Sequence, residues 1–168
     1  MKIVIIGPAF PLRGGIADFN EALATSLQDS GHQVEIYSFS YQYPSFLFPG
    51  TSQISDGKKP DHLVIHPTLN SINPFSWFRT ASDIISTNPD LVIIRYWIPF
   101  MAPALGTVAK KLRKKKIKII AIVDNIVPHE KRPGDNMLTK FFVKQFDGFI
   151  TMSKAVYEQL FQFLQMNL

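Results

Sequence analysis

Ile117-Lys-Ile-Ile-Ala-Ile-Val123 runs directly into Asp124-Asn-Ile-Val-Pro-His-Glu-Lys-Arg-Pro-Gly-Asp135. The first stretch has the composition of a strand buried on both faces, as in a parallel sheet. The second places carboxylate, amide, imidazole and cationic groups at the end of that strand. In open α/β sheets the carboxyl edge is where ligands bind. Two prolines and a glycine constrain the path of the loop. A plain connection does not need so many hydrogen-bonding groups, so Asp124, His129 and Glu130 are candidates to act on a substrate.

On either side, apolar runs alternate with helical periodicities. Lys2–Ile6 reads as a strand, Gly7 to Gly15 as a loop, and Ile16, Phe19, Leu23 and Leu27 as one helix face. Ser30-Gly31 is a helix stop, and Gln33 to Phe39 is a second strand. His62 to His66 is the third strand. Ser76 is read as the cap of a helix to about Thr87, with Trp77, Ala81, Ile84 and Ile85 on one face. Leu91 to Ile94 is the fourth strand, and Met101, Leu105, Val108 and Leu112 mark the next helix. Asn136 is read as the cap of a helix through Phe146, with Leu138, Phe141 and Phe142 inward. Phe149 to Met152 and a helix capped by Ser153, with Val156, Leu160 and Leu164 inward, finish the chain. This alternation predicts a three-layer, Rossmann-like α/β domain with a mostly parallel sheet of about six strands. Ser40 to Lys59, rich in aromatics, proline and glycine, interrupts the pattern and is read as a functional loop or one folded onto the core.

Composition narrows the class. The chain has 168 residues, 46% hydrophobic and 18% charged, which is enough for one globular domain. Without cysteine it has neither disulfides nor thiolate metal sites. Leu91 to Ala109 carries one charge, Arg95, but Pro99 and Pro103 divide it, so a buried strand and helix start are expected there and not a membrane span. Of 18 Lys and Arg residues, seven lie between Lys110 and Lys118. The net charge of +5 therefore belongs to one patch: Lys110, Lys111, Arg113, Lys114, Lys115, Lys116 and Lys118. Such a patch is either a solvated helix end whose cations suit the macrodipole or a surface for anionic lipid. No aromatics interleave with it, which argues against nucleic acid as a partner.

The loop Gly7-Pro-Ala-Phe-Pro-Leu-Arg-Gly-Gly15 leads into a helix. Gly14 and Gly15 allow backbone N–H groups to approach an anion closely, and Arg13 adds a charged donor. The G-x-G-x-x-G spacing of a dinucleotide site and the Walker lysine are both missing. A nicotinamide-dependent oxidoreductase is therefore disfavoured. Arg95, at the end of the fourth strand, is a buried charge that needs a partner; Asp124 and Glu130 are the candidates.

Taken together, the Gly14-Gly15-Ile16 loop end, Gly31-His-Gln-Val34, Leu69-Asn-Ser-Ile-Asn-Pro-Phe-Ser-Trp77, Arg95-Tyr-Trp-Ile-Pro-Phe100, Asp124-Asn-Ile-Val-Pro-His-Glu130 and Phe149-Ile-Thr-Met-Ser153 resemble a bacterial branch of the family 4 glycosyltransferases of the GT-B fold. The resemblance covers essentially the whole chain. It implies the acceptor-binding N-terminal half of a retaining enzyme that moves a sugar from a nucleotide-sugar donor to a glycan or lipid-linked acceptor. A C-terminal nucleotide-sugar-binding domain would lie outside residues 1–168, and this half would be inactive alone. No metal or other cofactor is implied, and a cytoplasmic, membrane-peripheral location is. Under the resemblance Gly14, Gly15, Arg13 and Arg95 serve donor phosphate or substrate, and His129, Glu130 and Asp124 serve catalysis. Many relatives carry histidine where this chain has Asp124, so a noncatalytic glycan-binding or scaffold domain is the rival reading.

Overall fold

The computed structural model describes residues 1–44, 53–55, 57–126 and 132–167. Six strands form one parallel sheet: β1 Lys2–Ile6, β2 Gln33–Tyr41, β3 Val64–Asn70, β4 Leu91–Tyr96, β5 Lys118–Val123 and β6 Gly148–Thr151. Their spatial order is β3-β2-β1-β4-β5-β6. The connecting helices are α1 Gly15–Asp29, α2 Pro74–Ser86, α3 Ala102–Lys114 and α4 Asp135–Val143, with α5 Lys154–Asn167 at the end. A 3-10 turn, Pro99–Met101, leads into α3. The domain is a Rossmann-like α/β fold with helices on both faces of the sheet.

Alternation along β1 builds two cores. Ile3 and Ile5 pack with Ala24 and Leu27 of α1, whereas Val4 and Ile6 join Ala81 and Ile84 of α2 and Leu105, Val108 and Leu112 of α3. Each buried Val, Leu or Ile among these contributes roughly 1.5–3 kcal/mol, while Leu27 is only partly buried. Tyr96 extends the second core to α4: its ring stacks on Phe142 at 4.1 Å and its hydroxyl meets Thr139 Oγ1 at 3.0 Å.

Most elements fall where the sequence places them, and the exceptions have local causes. β3 runs from Val64 to Asn70, past the expected end at His66. The strand continues through Pro67 because β3 is an edge strand, where a missing N–H is tolerated. Asn73, not Ser76, caps α2; its side chain accepts from Phe75 N at 3.0 Å, and Pro74 occupies the first helical position. Ser76 instead ties the turn through its hydroxyl to Asn70 and Asn73. Gly134 precedes α4 in place of Asn136, and that helix ends at Val143, not Phe146. Ser153 Oγ accepts from Val156 N at 3.2 Å, as a cap should.

Candidate functional site

The strand order reverses direction between β1 and β4, and there the carboxyl ends diverge into a crevice. Gly7 stands at the base. A Cβ on it would fall 2.6 Å from Asn20 Nδ2 and 3.0 Å from Arg95 Cβ, so this position requires glycine. The loop beyond is tied down on three sides. Asn20 Nδ2 donates to Pro8 O at 2.8 Å, and Glu21 Oε1 accepts from Phe10 N at 2.7 Å. Ser38 Oγ accepts from Ala9 N at 2.9 Å and donates to Ala9 O at 3.1 Å.

The loop delivers Gly14 at φ 120°, a backbone conformation suited to glycine, as the residue before α1. No side chain caps that helix. Its first N–H groups and the positive end of its dipole are left for another acceptor. A cavity of about 210 Å³ opens there, lined by Pro8, Arg13, Gly14, Gly15, Ile16 and Ala17 on one side and Gln42, Tyr43, Gln53 and Trp97 on the other. Trp97 Nε1 donates to the Tyr43 hydroxyl. Tyr43 stacks against Phe100 at 6.3 Å and Phe39 meets Trp97 edge-on at 6.0 Å, so the aromatic wall is braced from the core. Burial raises the Tyr43 pKa, opposed by its hydrogen bonds with Trp97 and Gln42. A helix start with free donors, one arginine, two amides and an aromatic face can hold an anion beside a polar ring.

Arg95 and Asp124 form a pair that does not line this cavity. Arg95 is 3% exposed; its Nε and Nη2 donate to Asp124 Oδ2 and Oδ1 at 2.6 and 2.5 Å. The Phe19 ring covers the guanidinium, 4.2 Å from Cζ. Phe19, expected on the inward face of α1, is thus 37% exposed and serves as a lid on the pair. Among the described residues, Arg95 Nη1 and Asn20 Oδ1 are buried without hydrogen-bond partners. Both carboxylate oxygens of Asp124 accept from Arg95, so it anchors the guanidinium.

The sequence-predicted residues thus separate into groups. Gly14, Gly15 and Arg13 meet at the cavity; Arg95 and Asp124 meet each other; His129 and Glu130 lie outside the described residues. The cationic cluster sits on the C-terminal half of α3, which runs back toward the amino edge, so Lys114 to Lys116 lie roughly 20 Å along the helix from the site edge. Tyr43 belongs to the aromatic loop 40–59, read from the sequence as functional or folded onto the core; Gln42, Gln53 and Trp97 were missed. A tryptophan one residue beyond a strand's carboxyl end was the available signal for Trp97. Among the described residues, no three His, Cys, Asp or Glu side chains cluster as metal ligands, and no helix is long and apolar enough to cross a membrane.

A parallel 3-2-1-4-5-6 sheet, with an uncapped, glycine-entered helix at its switch point, defines a domain of the doubly wound Rossmann type. The chain belongs to Glycosyltransferase Family 4, whose model matches residues 13–167. No curated protein sequence matches it. Among solved structures it is similar to an alpha-glucosyltransferase in complex with UDP and a DNA containing a HMU base, with a TM-score of 0.63 at 10% identity, covering 96% of this chain and 38% of that one. It is similar to MurG of Acinetobacter baumannii, with a TM-score of 0.59 at 14% identity, covering 92% and 42%. A Listeria monocytogenes protein described as a UDP-N-acetylglucosamine 2-epimerase matches with a TM-score of 0.57 at 14% identity, covering 96% and 42%. At such identities the likeness is one of fold. The chain spans about two fifths of the length of these proteins. The expectation that nucleic acid is no partner gains no support here, since one structure of this fold holds DNA.

Proposed function

We propose that this glycosyltransferase-type domain is the acceptor-binding half of a retaining enzyme, which moves a sugar from a nucleotide-sugar donor to a glycan or lipid-linked acceptor. The observation that carries the reading is the switch-point cavity, where the uncapped start of α1 faces the Trp97–Tyr43 wall. A departing nucleoside diphosphate gains negative charge in the transition state, and the donors at Gly14 and Gly15, with Arg13, suit that charge. The aromatic wall and the amides of Gln42 and Gln53 suit a sugar ring, with an apolar face and hydroxyl edges. His129 and Glu130, which follow β5 in the sequence, orient hydroxyls, and Arg95, held by Asp124, keeps the floor of the site rigid. The nucleotide sugar is gripped mainly by a second domain outside these residues, so the 168-residue chain alone turns over no donor. Neither a metal nor another cofactor is needed. The lysine-rich end of α3 suits a peripheral position at the inner face of an anionic membrane.

Saturation-transfer NMR on the chain with soluble oligosaccharides, UDP and NADH tests this. Glycan and nucleotide signals are expected, with glycan binding weakened about tenfold or more in Trp97→Ala, as for a central aromatic anchor. Binding of NADH with indifference to glycans would sink the reading.

A second reading, a noncatalytic glycan-binding domain, is favoured by the engagement of both Asp124 oxygens. The two part in the whole protein. As an enzyme it transfers sugar, and Glu130→Gln abolishes transfer while sparing glycan binding. As a binding module it transfers nothing to begin with.

A further inference from the structure

The outward face of α2 has the wrong polarity for a surface helix. Phe75, Phe78, Arg79, Ser82 and Ser86 lie at helical spacing on one side and all are exposed, while Thr80, Ala81 and Ile84 point into the core. A solvated face is expected to be polar. Here its first two turns carry Phe75 at 84% and Phe78 at 48% exposure, preceded in the turn by Ile72 at 55%.

Cations frame this apolar cluster. Lys111 of α3 reaches across with Nζ 5.0 Å from the Phe78 ring centroid. Lys114 and Lys115 follow one turn on, and Arg79 stands beside Phe75 and Phe78 on α2 itself. Arg113 is not part of the band, because its guanidinium donates to Lys144 O of the α4 end. α3 bears no acid, and the one acid of α2, the half-buried Asp83, acts on Tyr37 and stands beside the exposed stripe, not on it. An apolar wedge bordered by cations, with no exposed carboxylate on α2 or α3, matches an anionic bilayer in both layers: headgroups for the lysines, acyl boundary for the rings. Ile150, Met152, Tyr157 and Phe161 are also exposed around β6 and α5. That face has a Lys154–Glu158 pair and no cation cluster, so it lacks this match.

We infer that the α2–α3 layer docks on anionic phospholipid, with Ile72, Phe75 and Phe78 inserted and Lys111, Lys114 and Lys115 on the headgroups. This deepens the peripheral-membrane part of the proposed function and rests on it for the lysine contribution. It adds an orientation. Phe75 lies in the first turn of α2, at the same carboxyl edge of the sheet as the cavity. The membrane therefore runs along the α2–α3 layer, and the mouth of the cavity stands beside the bilayer, where the head of a lipid-linked acceptor would be presented.

The test is co-sedimentation of the 168-residue chain with phosphatidylcholine vesicles made with and without phosphatidylglycerol. Binding is expected only with the anionic lipid. F75S/F78S is expected to weaken it about tenfold or more, since two aromatic side chains leave the acyl boundary. K114E/K115E is expected to weaken it about fivefold for each lysine removed, and more for reversal. Circular dichroism and urea midpoints of both variants should match the parent, because all four residues are exposed. If only the lysine variant loses binding, the wedge is wrong and the peripheral-membrane reading survives. If the parent ignores both vesicles, both fail. Retention of duplex DNA in place of vesicles would overturn the inference, as would a dimer that F75S/F78S dissociates.

Discussion

Arg95 and the lysines of α3 are the two ways this domain carries positive charge, and they behave as opposites. Arg95 is buried, fixed by two hydrogen bonds to one carboxylate, covered by a ring and placed at the switch point. Lys110 and Lys114 to Lys116 are exposed, gathered by sequence adjacency and located toward the other edge of the sheet. In the interior a charge survives only with its partner, so the residue pair is the unit and its geometry is set. On the surface water solvates each cation, and only the summed field matters. The first arrangement shapes a site; the second attracts a partner.

The sharpest way to break this contrast is Asp124→Ala. It leaves the Arg95 guanidinium buried without its carboxylate, and a loss of about 3–5 kcal/mol is expected in urea denaturation. Adding Arg95→Met should recover most of that loss, because the uncompensated charge is removed. A loss below about 1 kcal/mol in the single variant would mean that the pair is effectively solvated, like a surface bridge. Gly7→Ala is the next largest. Its new methyl meets Asn20 Nδ2 and Arg95 Cβ, and overpacking of this kind costs about 1–3 kcal/mol. Because Asn20 also holds Pro8, the variant should weaken glycan binding alongside the thermal midpoint; intact binding with full stability would show that the floor has room.

The sequence foretold one side of this contrast better than the other. The lysine cluster is contiguous, so counting charges found it. The Arg95–Asp124 contact needed only that two polar residues end adjacent apolar strands; the β4–β5 register then sets Arg95 opposite Ile122 and Tyr96 opposite Val123, with Asp124 N bonded to Tyr96 O at 2.9 Å. Apolar runs betrayed the strands because strands buried on both faces have little choice of residue. The cavity was half legible. Gly14 and Gly15 carry a local backbone signal, whereas Trp97 meets Gln42, Tyr43 and Gln53 from a segment far along the chain, which no local pattern encodes. The Phe75 and Phe78 face escaped for a related reason: aromatic periodicity reads as core, and only the packing of α2 shows which aromatics are left outside.

The smallest expected effect is the most diagnostic of surface behaviour. Lys116 ends the α3 turn at φ 60°, left-handed for a residue with a side chain, and its N–H donates to Arg113 O at 2.9 Å. Lys116→Gly relieves about 1 kcal/mol of backbone strain. Against this stand the extra chain entropy of glycine when unfolded, roughly 0.4–1 kcal/mol, and a lost cation at the helix C-terminus, roughly 0.3–1 kcal/mol. The net change should stay below about 1 kcal/mol, but only the last contribution is electrostatic and exposed. Raising the salt concentration screens it, so the variant should gain stability relative to the parent as salt increases. The destabilisation from Asp124→Ala should hold nearly constant over the same range. If both respond equally to salt, the division between a buried paired charge and a solvated field does not hold in this domain.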